Sequence, residues 1–222
     1  GKQGFLQGYA LRPIPENATK TLGHSYETLE NAIKPFPLCR YNHQTLDLVL
    51  DYQREYNVET SKISSILIHM PTYGVQLCGS PIELKRNPKS PVDAQFSGCF
   101  AAALALTQEK ADMQTFTNIL NTGMSSEFKR LLSITDIQQA DDLDAIHPEF
   151  WPGRVTLTID GEDVELYGKH MRGERERPMS IEEVQEKFRD LSPNHDESKR
   201  KEVFEVINNL ENATIDDLLS PL

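Results

Sequence analysis

The order of elements along this chain predicts an α+β fold. Its strands form a small, mostly antiparallel sheet of about four, and helices pack on it. Three observations carry that expectation. The clearest hairpin, Val155–Asp160 with Val164–Tyr167, has the alternation and the Asp160-Gly161 turn of an antiparallel pair. The stretch 93–106 is apolar nearly throughout, with Phe96, Phe100, Ala102, Leu104 and Leu106, as expected of a buried helix. Strand, helix, strand, helices, hairpin, helices is not the strict alternation of a doubly wound α/β protein.

The elements follow in order. Residues 1–24 are rich in Gly, Pro and polar groups and read mostly as loop, with a short helix over Gln3–Ala10. Leu29–Lys34 reads as a first strand. Pro35 and Pro37 then hold the backbone extended. Asn42 is placed to cap a helix over His43–Tyr56, with Leu46, Leu48, Val49, Leu50 and Tyr52 as its core stripe. Lys62–Met70 is a strand ended by Pro71, and 71–92 is expected to be a long loop. Helices follow over 93–106, 113–120 and 126–132. After the hairpin comes a basic loop, Gly168–Arg177. Ser180 and Glu183 form a capping box that opens a helix to Leu191. Helices over 196–209 and 214–220 close the chain, the first with Val203, Phe204, Val206 and Ile207 as its apolar face.

With 222 residues, 38% hydrophobic and 26% charged, the chain can bury a sizeable core. Its net charge of −11 argues against a nucleic-acid partner and against an anionic membrane surface. No apolar run approaches the ~20 residues needed to span a bilayer. The three cysteines, Cys39, Cys78 and Cys99, lack metal-type spacing. Free thiols in a reducing compartment are expected, so the chain reads as intracellular, cytoplasmic or in the mitochondrial matrix.

Against the acidic background, Lys34, Arg40 and His43 gather at one strand-to-helix corner. That corner is suited to a small anion. Lys34 at the strand end is either a carboxylate-binding group or a surface lysine. Arg40 can pair bidentately with a carboxylate, or simply form an ordinary salt bridge. His43 in the first helical turn is disfavoured as a cation there, and is either a neutral base or donor or a packed cap residue. Cys39 reads as a buried, inert thiol. Phe100 reads either as a ring on the substrate or as core.

Four stretches carry a resemblance. They are Gly4-Phe5-Leu6; Ile33-Lys34-Pro35-Phe36-Pro37-Leu38-Cys39 with His43; Asp93-Ala94-Gln95-Phe96-Ser97; and Pro178-Met179-Ser180 followed by Glu186-Lys187-Phe188. In this order they resemble the MmgE/PrpD family, which includes 2-methylcitrate dehydratase, cis-aconitate decarboxylase, iminodisuccinate epimerase and alkylcitrate dehydratases. The resemblance implies that residues 1–222 are one C-terminal α+β domain, whose helices over 178–222 return to an all-helical domain lying outside this sequence. It implies a small polycarboxylate substrate, no metal and no organic cofactor. It also implies a partner, namely the helical domain or a chain carrying it, and a homodimer or higher assembly. The reaction implied is proton abstraction beside a carboxylate with loss of water. Lys34 and His43 would be catalytic, and Lys34, Arg40, Cys39 and Phe100 would bind substrate. Where decarboxylase-type members carry tyrosine, Phe100 lacks the hydroxyl, which points away from decarboxylation. A binding or assembly module, or a carboxylate sensor, is the alternative.

Overall fold

The computed structural model describes residues 4–107 and 110–220. The chain falls into two units, Gly1–Ala32 and Ile33–Leu222. In the first, helix α1 (Phe5–Tyr9) stacks Phe5 and Tyr9 at 4.7 Å, and two 3₁₀ turns follow at Pro15–Ala18 and Glu27–Glu30. Gln3 of the expected first helix lies outside the described residues.

The expected strand over Leu29–Lys34 does not form. Its first two residues end the 3₁₀ turn, and the rest carries no regular structure. A strand needs a ladder of backbone partners. This stretch has one such bond at Ile33, whose N–H donates to Gly173 O at 2.9 Å, and the prolines that follow have no N–H to continue it.

In the second unit, α2 (His43–Tyr56) runs as expected, but Asn42 does not cap it with its side chain. Asn42 ends a 3₁₀ turn over Arg40–Asn42, and its amide donates to Gln95 O at 3.1 Å instead. Leu46, Val49 and Leu50 of α2 are buried. Strand β1 (Ile63–Met70) follows. The expected loop 71–92 is largely short helical turns, at Thr72–Gly74, Val75–Gly79 and Ile82–Lys85, and Arg86 Nε ties it back to Thr135 O at 2.9 Å.

The expected helix over 93–106 is two. Helix α3 (Pro91–Gln95) is opened by the Ser90–Asp93 capping box, and α4 spans Gly98–Thr107. Ser97 sits between them, where its hydroxyl accepts from Phe100 N–H at 2.9 Å and donates to Lys85 O. It restarts the helix that Phe96 interrupts. Every residue of α4 from Gly98 to Leu106 is buried, and its run of alanines lets α2 and the helix Ser126–Ser133 approach closely. Helices α5 (Met113–Thr122) and α6 (Ser126–Ser133) lead into β2 (Thr135–Gln139). This strand is a finding the sequence did not announce. Only Thr135 and Ile137 face inward, and the rest is polar. Its place is set by the free edge of β1, with which it pairs in parallel from Ile66–Thr135 to Met70–Gln139.

Strands β3 (Gly153–Ile159) and β4 (Glu162–Gly168) are the expected hairpin. Asp160 and Gly161 both take positive φ, 51° and 86°, as its tight turn requires. The sheet order is β2-β1-β3-β4, with β1/β3 and β3/β4 antiparallel. Ile66, Ile68, Val155 and Leu157 turn one face of it into the core with α2 and α4. Each such aliphatic side chain contributes about 1.5–3 kcal/mol by leaving water. Helix α7 (Ile181–Leu191) begins at the predicted capping box, and α8 (Glu197–Asn208) packs Phe204 on Phe188 of α7 at 5.3 Å. Helix α9 (Ile215–Leu219) follows. No helix among the described residues is long and apolar enough to cross a membrane.

Candidate functional site

The corner Ile33–His43 is held from several sides. Ile33 N–H bonds Gly173 O, Lys187 Nζ donates to Lys34 O, and Cys39 N–H bonds Gln95 O at 2.9 Å. The prolines leave the Leu38 carbonyl turned back toward the corner. Lys34 Nζ donates to that oxygen at 3.2 Å, and His43 Nε2 meets it at the same distance. A carbonyl can only accept, so Nε2 carries the hydrogen and Nδ1 is bare. Nδ1 is buried without a hydrogen-bond partner among the described residues. The whole residue is 1% exposed. Burial pulls its pKa down to about 4, aided by the charges of Lys34, Arg40 and Lys187 and opposed by the Leu38 bond. His43 is therefore a neutral imidazole at physiological pH, chiefly through desolvation rather than through the helix dipole.

Beside this corner lies a cleft of about 860 Å³. Its walls come from Lys34–Pro37, from α2 at Leu50 and Arg54, from the start of α5, and from one face of α7. The charges on the walls are six cationic (Lys34, Arg54, Lys110, Arg172, Lys187, Arg189) against four acidic (Asp112, Glu183, Glu186, Asp190). The chain as a whole carries −11, so this concavity is a local reversal of sign. A smaller hollow of about 300 Å³ between α5 and α6 has no titratable side chain in its lining, Thr115, Asn118, Thr122 and Ser125 being its polar members.

Of the five residues expected at the site, Lys34 alone lines the cleft. His43 lies behind it, joined through Leu38 O. Arg40 is committed elsewhere: Nη2 bonds Glu174 Oε1 at 2.6 Å, and the guanidinium lies 4.2 Å over the Trp151 ring. Cys39 is only half-buried, and its thiol is hydrogen-bonded to that of Cys78. That bond lowers the pKa of Cys39 and raises that of Cys78, so Cys39 is the more acidic thiol of the pair and is not the buried thiol expected. Phe100 is fully buried, its ring 5.1 Å from Phe116 and 5.2 Å from Phe128, in the core and away from the cleft.

The segment Gly168–Arg177, expected as a basic loop, is tied down. Arg172 Nη2 lies 3.0 Å from both Asp47 Oδ1 and Asp51 Oδ1, and its Nη1 lies 3.3 Å from Glu183 at the start of α7. Arg177 bonds both Asp47 and Asp51. Asp47 is 1% exposed, and burial raises its pKa against the lowering pull of the two arginines. This network fixes α7 to α2 and so fixes two walls of the cleft. His170, Glu174 and Glu176 bring donor atoms within 4.8 Å of one another. Glu174 is already engaged by Arg40 and by Met171 N–H, so a cation there would compete with both.

Of the charged cleft residues that were not expected, five of nine sit on α7. Glu183, Glu186, Lys187 and Asp190 recur at helical spacing, which puts them on one face. That pattern was readable in the sequence. Its meaning depended on what the face opposes, which only the tertiary arrangement supplies.

Comparison with known proteins adds one finding. No curated protein matches the chain. The profile of the MmgE/PrpD C-terminal domain matches residues 36–212, beginning two residues after Lys34 and taking in the rest of the corner from Phe36, the sheet and α7. By that match, over most of its length, the chain belongs to the MmgE/PrpD family through its C-terminal domain.

Proposed function

We propose that the cleft binds a small polycarboxylate and that this chain supplies the anion-binding part of a dehydratase-type lyase site. Membership of the family supports the lyase theme. The observation that carries the reading for this chain is Lys34. Its ammonium lines a cationic cleft and, among the described residues, bonds only a backbone carbonyl, so it can turn to a ligand at little cost. In the proposed reaction a base removes the proton beside a carboxylate. The electron pair moves into the new double bond, and hydroxide leaves with a proton as water. Lys34 binds that carboxylate and stabilises the charge that builds on it. His43, screened from the cleft, acts as a positioning group that holds the Leu38 oxygen against which Lys34 rests. Binding without turnover is the second reading, favoured by the burial of His43, the group expected to move the proton.

Calorimetric titration with tricarballylate, a tricarboxylate with no hydroxyl to lose, tests the reading. Lys34→Ala should weaken binding about tenfold or more, the scale of one charge-assisted hydrogen bond. The melting temperature should hold within about 2 °C, because the side chain is exposed. Equal affinity in the two proteins would remove Lys34 from the site.

A further inference from the structure

The cations of the cleft are not equivalent. Lys110 Nζ lies 2.6 Å from Asp190, Arg172 is shared among Asp47, Asp51 and Glu183, and Arg189 bonds Glu197 at 3.1 Å. Lys34 and Lys187 have no carboxylate partner among the described residues: Lys34 bonds Leu38 O and Lys187 bonds Lys34 O. Both line the same cleft, one on the corner and one on α7. A hydrogen bond from one lysine to the backbone of the other thus holds two uncompensated ammonium groups on adjoining walls.

We propose that Lys34 and Lys187 form one two-ammonium subsite, which selects acids with at least two carboxylates over acids with one. The inference rests on the carboxylate reading above and adds Lys187, for which that reading has no role. Lys187 is half-buried, and the like charge of Lys34 also repels it. Both effects push its pKa below the usual lysine range. A ligand bearing two negative charges removes the repulsion, whereas a monoacid satisfies one ammonium and leaves the other. The geometry therefore rewards a second carboxylate more than it would on two separate lysines.

The test titrates propionate, succinate and tricarballylate into the 222-residue chain and into Lys187→Gln, Lys187→Arg and Lys34→Ala. Glutamine keeps an N–H donor for Lys34 O but carries no charge. We expect Lys187→Gln to weaken tricarballylate about tenfold or more and propionate less than about twofold. Lys187→Arg should restore most of the preference for the triacid. A lysine that only braces Lys34 would shift all three acids alike, so an unchanged ratio of triacid to monoacid affinity overturns the subsite and leaves the carboxylate reading standing. A wild-type chain that binds none of the acids, or a Lys34→Ala chain that binds tricarballylate as well as wild type, overturns the carboxylate reading and the subsite with it.

Discussion

The ammonium of Lys34 and the imidazole of His43 meet on one atom, the carbonyl oxygen of Leu38, each at 3.2 Å. One of the pair lines the cleft and the other is sealed behind it. A neutral donor behind and a charged donor in front hold the same oxygen, so the state of His43 bears on the position of Lys34. This relationship makes the corner a single unit of structure rather than a row of neighbouring residues.

His43 should make the fold acid-sensitive in a defined window. In the unfolded chain its imidazole takes a proton near pH 6.5, and in the folded protein only near 4. Between those values the unfolded state binds a proton that the native state refuses, so stability falls as pH drops from 6.5 toward 4 and is intact above 6.5. The full effect is about 3 kcal/mol. His43→Gln keeps an N–H for Leu38 O and does not titrate. Denaturant unfolding from pH 7 to 4 should show wild type losing about 3 kcal/mol more than the variant. Parallel stability curves would mean that His43 is not held neutral.

Gly173 should be intolerant of a side chain for a reason that reaches the site. Its φ is 90°, and a Cβ there would lie 1.9 Å from the backbone oxygen of Ile33, the residue before Lys34. Gly161, in the hairpin turn, has φ 86° but open space around it. Gly161→Ala should cost about 1 kcal/mol from backbone strain alone. Gly173→Ala should cost about 3 kcal/mol and also weaken tricarballylate binding, because the corner must move. Equal destabilisation by the two substitutions would dissociate the 168–177 segment from the corner.

The thiols should separate cleanly by reactivity. Cys39 is held below the usual thiol range by its bond to Cys78, whereas burial pushes Cys99 up to about 12. At pH 7, iodoacetamide followed by peptide mass mapping should find Cys39 modified first, with a rate that declines as the pH is lowered. Cys78→Ala removes the bond and should slow the reaction at Cys39. Faster labelling of Cys78 or Cys99 in the wild-type chain would contradict this assignment of the thiolate.

What could be read beforehand followed the physics of each element. The hairpin, α2 and the box at Ser180–Glu183 were legible because local signals there agree with their tertiary role. Leu29–Lys34 was misleading because apolar residues before a proline pair look like a strand, and no sequence states whether a ladder partner exists. Strand β2 was silent because five mostly polar residues owe their conformation to the edge of β1. Lys34 was legible as a charge at a corner. Arg40 was not, because whether an arginine meets a ligand or its own chain depends on Glu174, 134 residues away. Phe100 reads the same way whether it faces a substrate or Phe116.

A crystal structure of the chain with tricarballylate bound tests the central claim most directly. The account predicts one carboxylate of the ligand within about 2.7–3.2 Å of Lys34 Nζ, inside the cleft between the Lys34–Pro37 corner and α7. Ligand density at any other place, with the Lys34 ammonium still resting on Leu38 and touching nothing else, would contradict it.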